Sequence, residues 1–560
     1  MHVQIKCHKS EKSDKIDELQ LIEVDKHTSF YSMAKKLYKD SYKKYLAVKV
    51  NNKIQELTSD NFMENDIIEF IDIRDNDGQR IYIRTLCLIY IKACKDLFND
   101  IDVSIEHSLN KGLYTEFVNN NIINLSDVKN IKDRMCKIIN EQKQINTKLL
   151  SIGDASVIFA NQGMQDKVEL LKQRDNEVIR VYEIDGYYDT FYGYLAPNTN
   201  VIDKFDLKLF YPGIILNFPI KENNFELPEY IEHRKLSKVF REAEEWGRIM
   251  DVENVGTLNN KIVDKTIDDM IRINEAFHEK KIAYIADEIV SDKNIKIVLI
   301  SGPSSSGKTT FAQRLSIQLR VNGKKTYSLS LDDYFVDRYL TPKGEDGDYD
   351  YETIDALDLE LFNEQLLSLM TYQLVKIPVY NFIKGCREYT REPVVLSADH
   401  IIIIEGIHGL NDKLTEHIPQ NNKFKIYISA LTQLNIDNHN RIATSDLRLI
   451  RRIVRDDTHR GNNAIKTIAL WDNVVKGAEK YIFPFQENAD AIFNSALIYE
   501  LGVLKKYAIP LIEEIGDDSE FYPERQRLLN FLSYFKTIED ECAIPNTSIL
   551  KEFIGGSCFE

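Results

Sequence analysis

No stretch of this chain approaches the run of about 18 apolar residues that a membrane-spanning helix needs. Its first ten residues, Met1 to Ser10, are polar and lack the apolar core of a secretory leader. Cysteine is scarce. The seven, Cys7, Cys87, Cys94, Cys136, Cys386, Cys542 and Cys558, are odd in number, scattered and never in CxxC spacing. Neither a disulfide framework nor a zinc site is indicated, and a reducing cytoplasm fits best. Positive charge is short as well: 72 Lys and Arg against 88 Asp and Glu leave a net of −16 and a pI near 5.3. No global basic field therefore draws the chain to nucleic acid or anionic lipid. Internal repeats and low-complexity tracts are absent. What remains is a globular composition, 43% hydrophobic and 29% charged. The 560 residues suffice for about three to five domains of roughly 100–200 residues.

Residues 1–75 alternate apolar and polar in His2–Cys7, Leu19–Val24, Tyr45–Val50 and Ile67–Ile73, around a helical stretch at Ser29–Lys39. Asn51-Asn52 suits a hairpin turn. This pattern predicts a β-grasp module. A polar break, Asp75-Asn76-Asp77-Gly78, precedes a second, α+β region at 80–235, which opens with an apolar helix over Ile81–Phe98. A helical linker at 236–293, with a charged stretch at Ile262–Val290, leads to a third region at 294–515. There apolar strands alternate with helices, the sign of a mostly parallel sheet flanked by helices. Residues 516–560 are apolar enough to pack as a helical extension, through Phe521, Leu528, Leu529, Phe531 and Leu532. The fold class expected is a multidomain α/β protein.

The chemistry is concentrated in the third region. A buried strand, Lys296–Ser301, runs into Gly302-Pro303-Ser304-Ser305-Ser306-Gly307-Lys308-Thr309-Thr310, a GxxxxGK[ST] loop, and a helix follows at Phe311–Arg320. The glycines let backbone N–H groups close around phosphate oxygens, and the helix N-terminus adds positive potential. Gly302, Ser304, Ser305, Ser306, Gly307, Lys308, Thr309 and Thr310 would hold a nucleoside triphosphate. Lys308 would reach its β- and γ-phosphates, and Thr309 would offer a hydroxyl to Mg²⁺. Two further strands end in carboxylates: Thr326–Leu331 at Asp332-Asp333, and Ile401–Ile404 at Glu405-Gly406. Ligands of open α/β sheets sit beyond the carboxyl ends of the strands. The loop, Asp332 and Glu405 should therefore converge, with one carboxylate helping to hold Mg²⁺ and another taking a proton from an attacking hydroxyl.

Arg448, Arg451, Arg452 and Arg455 recur at i, i+3, i+4 and i+7 on one face of a helix, with Leu447, Ile450 and Val454 towards the other. A solvated basic face is the ordinary meaning of such a stripe. In a phosphate-transfer domain, arginines on a mobile helix would instead close over the transferred phosphoryl group.

These residues resemble the uridine kinase and phosphoribulokinase group of P-loop kinases over about Lys296 to Asn494. The match includes Leu331-Asp332-Asp333-Tyr334-Phe335, Pro378-Val379-Tyr380-Asn381-Phe382, Glu405-Gly406-Ile407, and Asp446-Leu447-Arg448 running into Arg451-Arg452-Ile453-Val454-Arg455-Asp456. The resemblance implies that Asp332 is the base for the nucleoside 5′-hydroxyl and that Thr309, Asp332 and Glu405 organise Mg²⁺. It implies that Arg452, Arg455 and Arg460 are lid arginines. It puts Glu352 at the ribose-binding position, Tyr380 and Phe382 beside the base, and Arg387 in the substrate pocket. Departures gather where substrate is read. Glu352 stands in place of an aspartate, Asn381 replaces another, the histidine that reads a pyrimidine edge falls on Gly385, a pocket glutamine falls on Leu470, and the last lid arginine is Asn462.

The first 230 residues resemble the front of threonyl-tRNA synthetase, a TGS domain followed by the second additional (editing) domain. The marks are Tyr45-Leu46-Ala47-Val48-Lys49-Val50-Asn51, Lys111-Gly112-Leu113-Tyr114 and Ala196-Pro197-Asn198-Thr199. The whole arrangement is similar to TGS-containing nucleoside kinases of bacteria. The synthetase HxxxH positions fall on Thr85 and Ile89, and the CxxxH positions on Phe191 and Leu195, so no hydrolytic or metal site is expected there. His107 stands alone and reads as a packed or surface ring. Lys35, Lys36, Lys39, Lys43 and Lys44 make a basic cluster, yet residues 1–75 hold 13 Lys and Arg against 14 Asp and Glu, against an RNA-binding module.

The resulting expectation is a cytoplasmic kinase that uses ATP or GTP with Mg²⁺ to phosphorylate the 5′-hydroxyl of a nucleoside in nucleotide salvage. A homo-oligomer is compatible with the sequence, and a membrane is not a partner. Two other readings stay open: an RNA- or tRNA-associated regulator gated by NTP, and a kinase of another small hydroxyl acceptor such as a sugar phosphate.

Overall fold

A computed structural model of the chain describes every residue except 1, 7–18, 99–100, 119–122, 232, 345–346, 348, 433 and 560. Cys7, the end of the first expected strand, lies outside the described residues. In the first region β1 (His2–Lys6), β2 (Leu19–Glu23), β3 (Ala47–Val50), β4 (Lys53–Glu56) and β5 (Ile67–Ile71) form one sheet in the order β2-β1-β5-β3-β4. Only the β1–β5 pair is parallel. Asn51 and Asn52 take φ values of 46° and 64°, the left-handed pair that a two-residue hairpin requires. Helix α1 (Phe30–Tyr38) starts at Ser29, whose hydroxyl accepts from Ser32 N, and lays Phe30, Met33 and Ala34 on the sheet core.

The second region opens with α2 (Asn76–Leu97), which is apolar nearly all round and accordingly buried from Leu86 to Cys94. It packs on α3 (Leu125–Asn140). Strands β6 (Val103–Leu109), β7 (Gly112–Phe117), β11 (Asp206–Phe210) and β12 (Gly213–Asn217) form one sheet, and β8 (Asn146–Ser151), β9 (Val178–Ile184) and β10 (Tyr187–Asp189) a smaller one. Helices α4 (Ile152–Asn161) and α5 (Gln165–Lys172) complete the region. His107 stacks on Phe240 with centroids 3.6 Å apart, and burial pulls its pKa down to about 3, so it is a neutral packed ring.

The third region is built on five parallel strands in the order β14-β17-β13-β18-β21: β13 (Ile297–Ser301), β14 (Lys325–Ser330), β17 (His400–Glu405), β18 (Lys423–Ser429) and β21 (Ala491–Asn494). Two small hairpins, β15 (Val379–Asn381) with β16 (Cys386–Glu388) and β19 (Asn435–Asp437) with β20 (Asn440–Arg441), lie outside it. Alternate residues of β13 serve opposite cores, Ile297 and Leu299 one layer and Val298 and Ile300 the other. That is why the strand reads as an unbroken apolar run.

The helices of this half are α6 (Arg234–Ile249), α7 (Val255–Val263), α8 (Ile267–Ser291), α9 (Lys308–Val321), α10 (Leu359–Met370), α11 (Thr444–Arg460), α12 (Ala464–Ala469), α13 (Trp471–Tyr481), α14 (Glu500–Glu513), α15 (Tyr522–Leu532) and α16 (Lys551–Ile554). The charged stretch at 262–290 is two helices, parted where Lys265 takes φ 58°. Ile271, Ile282 and Ile289 of α8 share one core with Leu315 and Leu319 of α9, and Leu528, Phe531, Ile549 and Phe553 join the same core. The cuts drawn from sequence near 293 and 515 therefore run through continuous packing. Among the described residues no helix is long and apolar enough to cross a membrane.

Candidate functional site

Strand register brings three sequence signals together. β17 lies between β14 and β13, with Glu405 paired to Ser330 on one side and Ile300 on the other. The loop that leaves β13 and Asp332, two residues past Ser330, therefore flank Glu405 at one sheet edge. Gly302 is obligatory: a Cβ there would lie 2.0 Å from Ile428 O. Ser305 and Gly307 take φ values of 59° and 84°, and these turns wrap the loop around the start of α9. Lys308 Nζ donates to the carbonyls of Gly302 (2.9 Å) and Pro303 (3.3 Å), folded back on its own loop.

The adjacent aspartates part company. Asp333 is structural, accepting from Tyr380 N at 3.3 Å and pairing with Arg391 at 2.8 Å. Asp332 makes no hydrogen bond or ion pair among the described residues and is exposed. The surrounding protein displaces enough water to hold its carboxyl above the ordinary aspartate range, against the pull of Lys308 and Arg460. Glu405 is pushed up to about 7, by burial first and by Asp332 second, while Lys308 opposes. Ser330 donates to it at 3.2 Å. A cleft of about 270 Å³ beside these groups is lined by Thr309, Ser330, Asp333, Arg391 and Glu405.

The arginine stripe serves two purposes. Helix α11 is wedged into the core through Leu447, Leu449, Ile450, Ile453 and Val454, so its first turns are fixed rather than mobile. Arg448 Nε and Arg451 Nη1 donate to the carbonyls of Ser304 (2.9 Å) and Ser305 (3.3 Å), and Arg452 Nη1 to Ser304 Oγ (2.9 Å). Arg451 is fully buried and doubly bonded to Glu500, which makes it a structural residue. Arg452, Arg455 and Arg460 converge on Asp456 at 3.2, 2.7 and 3.9 Å. Gly461 at φ 63° ends the helix, and Asn462 follows it.

Phe335, Tyr380 and Phe382 form an aromatic group, with the Tyr380 and Phe382 centroids 5.0 Å apart. Tyr380 Oη is buried without a partner. Glu352 packs on Gly477 of α13, and burial raises its carboxyl while Arg452 and Lys308 oppose. Arg387, opposite Tyr380 in the hairpin, donates to Asp358 at 2.7 Å, the residue that caps α10. Leu470 is partly exposed between α12 and α13.

Two contributors escaped the sequence reading. Arg338 covers Gly385, where a Cβ would lie 2.9 Å from the Arg338 side chain, and it donates to Phe382 O. Glu552, on the one-turn α16, accepts from Thr310 N at 3.1 Å, while Ile549 would meet a Cβ on Gly307 at 2.5 Å. The C-terminal segment thus sets a carboxylate against an N–H of the phosphate loop. No motif announces a contact between residues 242 positions apart.

The loop fits a triphosphate. Ser305 Oγ, Ser306 Oγ and Arg448 Nη2 are buried without partners around the α9 N-terminus, where an anion is favoured. Among the described residues no cluster of three or more His, Cys, Asp or Glu side chains is arranged to hold a metal alone. Mg²⁺ fits differently, since it takes one or two carboxylates and completes its shell with phosphate oxygens and water. Thr309, Asp332 and Glu405 are the residues that would supply that set, with Glu405 raised to about 7 by burial first and by the neighbouring Asp332 second.

The family described as Phosphoribulokinase / Uridine kinase matches residues 297–499. A uridine kinase of Staphylococcus haemolyticus is 30% identical over 200 residues, 36% of this chain and 87% of its own length. One from Borrelia duttonii is 30% identical over 241 residues, 41% of this chain and 100% of its own. A Saccharomyces cerevisiae uridine kinase is 32% identical over 205 residues, and the chain spans only 36% of that relative's length. Among solved structures, a possible uridine kinase from Bacillus stearothermophilus is 20% identical and aligns over 38% of this chain and 98% of its own, with a TM-score of 0.27.

Proposed function

The chain belongs to the phosphoribulokinase/uridine kinase family, and from its site we propose that it transfers the γ-phosphate of ATP or GTP to the 5′-hydroxyl of a nucleoside, in the manner of a uridine or cytidine kinase of nucleotide salvage in the cytoplasm. The observation that carries this is Asp332: a carboxylate without a hydrogen-bond partner among the described residues, in the same crevice as Lys308 and Glu405. Asp332 takes the proton as the hydroxyl oxygen attacks. Lys308 leaves the Gly302 and Pro303 carbonyls for the β- and γ-phosphates. Arg452, Arg455 and Arg460 exchange Asp456 for the phosphoryl oxygens, where charge develops in a loose transition state. Thr309, Asp332 and Glu405 would hold Mg²⁺, which when bound neutralises phosphate charge. Glu352 would meet the ribose, and Tyr380 and Phe382 the base, with Arg387 bracing the hairpin that carries them. A comparison of uridine with 5′-deoxyuridine tests the acceptor atom: a monophosphate forms from the first and none from the second, and equal phosphorylation of both would refute the assignment.

Two expectations follow from the same contacts. Activity should rise with pH, because Asp332 accepts a proton only when ionised. Its raised carboxyl places the acid limb of kcat/KM, which reports the free enzyme, above the ~4 of an ordinary aspartate, and a limb at or below that value would contradict the role. Glu552→Gln should lower the KM for NTP by a few-fold to about tenfold at unchanged kcat, since a charged acceptor no longer competes with phosphate for Thr310 N. An unchanged KM would mean that Glu552 yields without cost.

Arg338 favours one alternative acceptor. Its exposed guanidinium over Gly385 gives the aromatic mouth a positive charge, which suits a phosphorylated sugar. Ahead of the kinase we read a TGS-like β-grasp domain at 1–75, supported by the mixed β2-β1-β5-β3-β4 sheet with one helix against it. We read 80–235 as a second-additional-domain-like region without hydrolytic chemistry, because Thr85, Ile89, Phe191 and Leu195 are buried packing residues. We read 236–293 and 516–560 as helical additions to the kinase unit at 294–515.

A further inference from the structure

A cavity of about 520 Å³ opens where α2, β9, the loop after β10 and α15 meet, and none of residues 302–310 lines it. Its wall holds five arginines and a single carboxylate, Asp77. Arginines at a surface usually carry their heads into water. Here the Nε atoms of Arg174, Arg180 and Arg525 are buried without a hydrogen-bond partner. Arg84 and Arg174 form no ion pair among the described residues, and Arg180 Nε stays 3.7 Å from the nearest Glu56 oxygen. Gly193 makes the arrangement possible, since a Cβ there would fall 2.4 Å from Arg84 Cζ.

Each of these guanidinium groups also sits over a tyrosine: Arg84 over Tyr192 at 5.5 Å, Arg174 over Tyr534 at 4.1 Å and Arg180 over Tyr194 at 4.5 Å. Arg84 already gives one N–H to Tyr194 O at 2.9 Å and Arg174 one to Ser533 Oγ at 3.5 Å, which leaves their other N–H groups for a planar or tetrahedral oxyanion, and the same rings offer faces for a flat heterocycle. Buried donors without acceptors destabilise the empty cavity and would be satisfied by phosphate oxygens. The far wall is tied to α11, whose Arg448 and Arg451 hold the phosphate-loop carbonyls of Ser304 and Ser305. Arg527 pairs with Glu524 at 2.6 Å and with Asp446 of α11 at 2.7 Å, and Glu524 pairs in turn with Arg80 of α2 at 3.2 Å.

We propose that this cavity is a second, non-catalytic binding site for a free nucleoside phosphate, with its phosphate on Arg84, Arg174 and Arg180 and its base against the tyrosines. The test is equilibrium dialysis of the full chain carrying Lys308→Ala, which cripples the phosphate loop, against radiolabelled UTP and ATP and a short single-stranded RNA. Saturable nucleotide binding is expected to persist in that background and to weaken at least tenfold when Arg84→Gln and Arg174→Gln are added. The same pair in the otherwise unaltered chain should retain phosphoryl transfer, which verifies folding, and Arg180→Gln replaces the pair should it unfold. Absence of saturable binding in the Lys308→Ala chain, or binding indifferent to the arginine substitutions, would overturn the proposal. So would arginine-dependent capture of the RNA with no capture of free nucleotide.

Discussion

Asp332→Asn is expected to lower kcat by a factor of about 10²–10⁴ while NTP still binds. The change is nearly isosteric, and because Asp332 has no hydrogen bond to lose among the described residues, it removes basicity without disturbing the fold. Asp333, one residue on, is the internal control, since each of its oxygens is already engaged, one by Tyr380 N and the other by Arg391. Asp333→Asn should therefore act on stability and on the hairpin rather than on the proton. Steady-state kinetics with a separate NTP-binding measurement distinguish the two. Near-wild-type turnover in Asp332→Asn would remove Asp332 from its role, whereas Lys308→Ala should abolish turnover by withdrawing the mobile charge from the transferred phosphate.

Glu500→Ala should have the largest effect on stability, about 3–5 kcal/mol. Arg451 and Glu500 are 0% and 1% exposed and joined by two bonds of 2.6 and 2.9 Å. Removing the carboxylate leaves a buried guanidinium without a counter-charge, which costs far more than the pair contributes. The damage also reaches the site, because Arg451 holds Ser305 O and Ser495 O. A lowered melting midpoint with a raised KM for NTP is the expected signature. Replacing both partners with methionine should recover most of the stability, since an apolar pair of similar volume needs no compensation. A Glu500→Ala chain that melts like the unaltered one would show the pair to be solvated.

What was legible in the sequence follows from the range of the signals. Gly302–Thr310, Asp332 and Glu405 each sit at the end of an apolar strand, and parallel registration does the rest, so the crevice could be assembled from local pattern alone. The hairpin at Asn51-Asn52 was readable for the same reason. The period of the arginine stripe reveals the helix, but helical spacing alone cannot tell Arg455 from Arg451, sealed under Phe553. Glu552 reaches the site across the fold from a segment without a motif, and Arg338, three residues past Phe335, meets Gly385 and Phe382 only through the fold. The helices at 236–293 looked like a linker because their charges conceal Ile271, Ile282 and Ile289, which only the packed core explains.

The most direct test is transfer of radiolabelled γ-phosphate from ATP and GTP to a panel of nucleosides and sugar phosphates, run beside Asp332→Asn. Label should appear in a nucleoside 5′-monophosphate and be lost in the variant. Tight Mg·NTP binding with no transfer to any nucleoside would contradict the account, and label on a sugar phosphate would reassign the acceptor to the class that Arg338 favours.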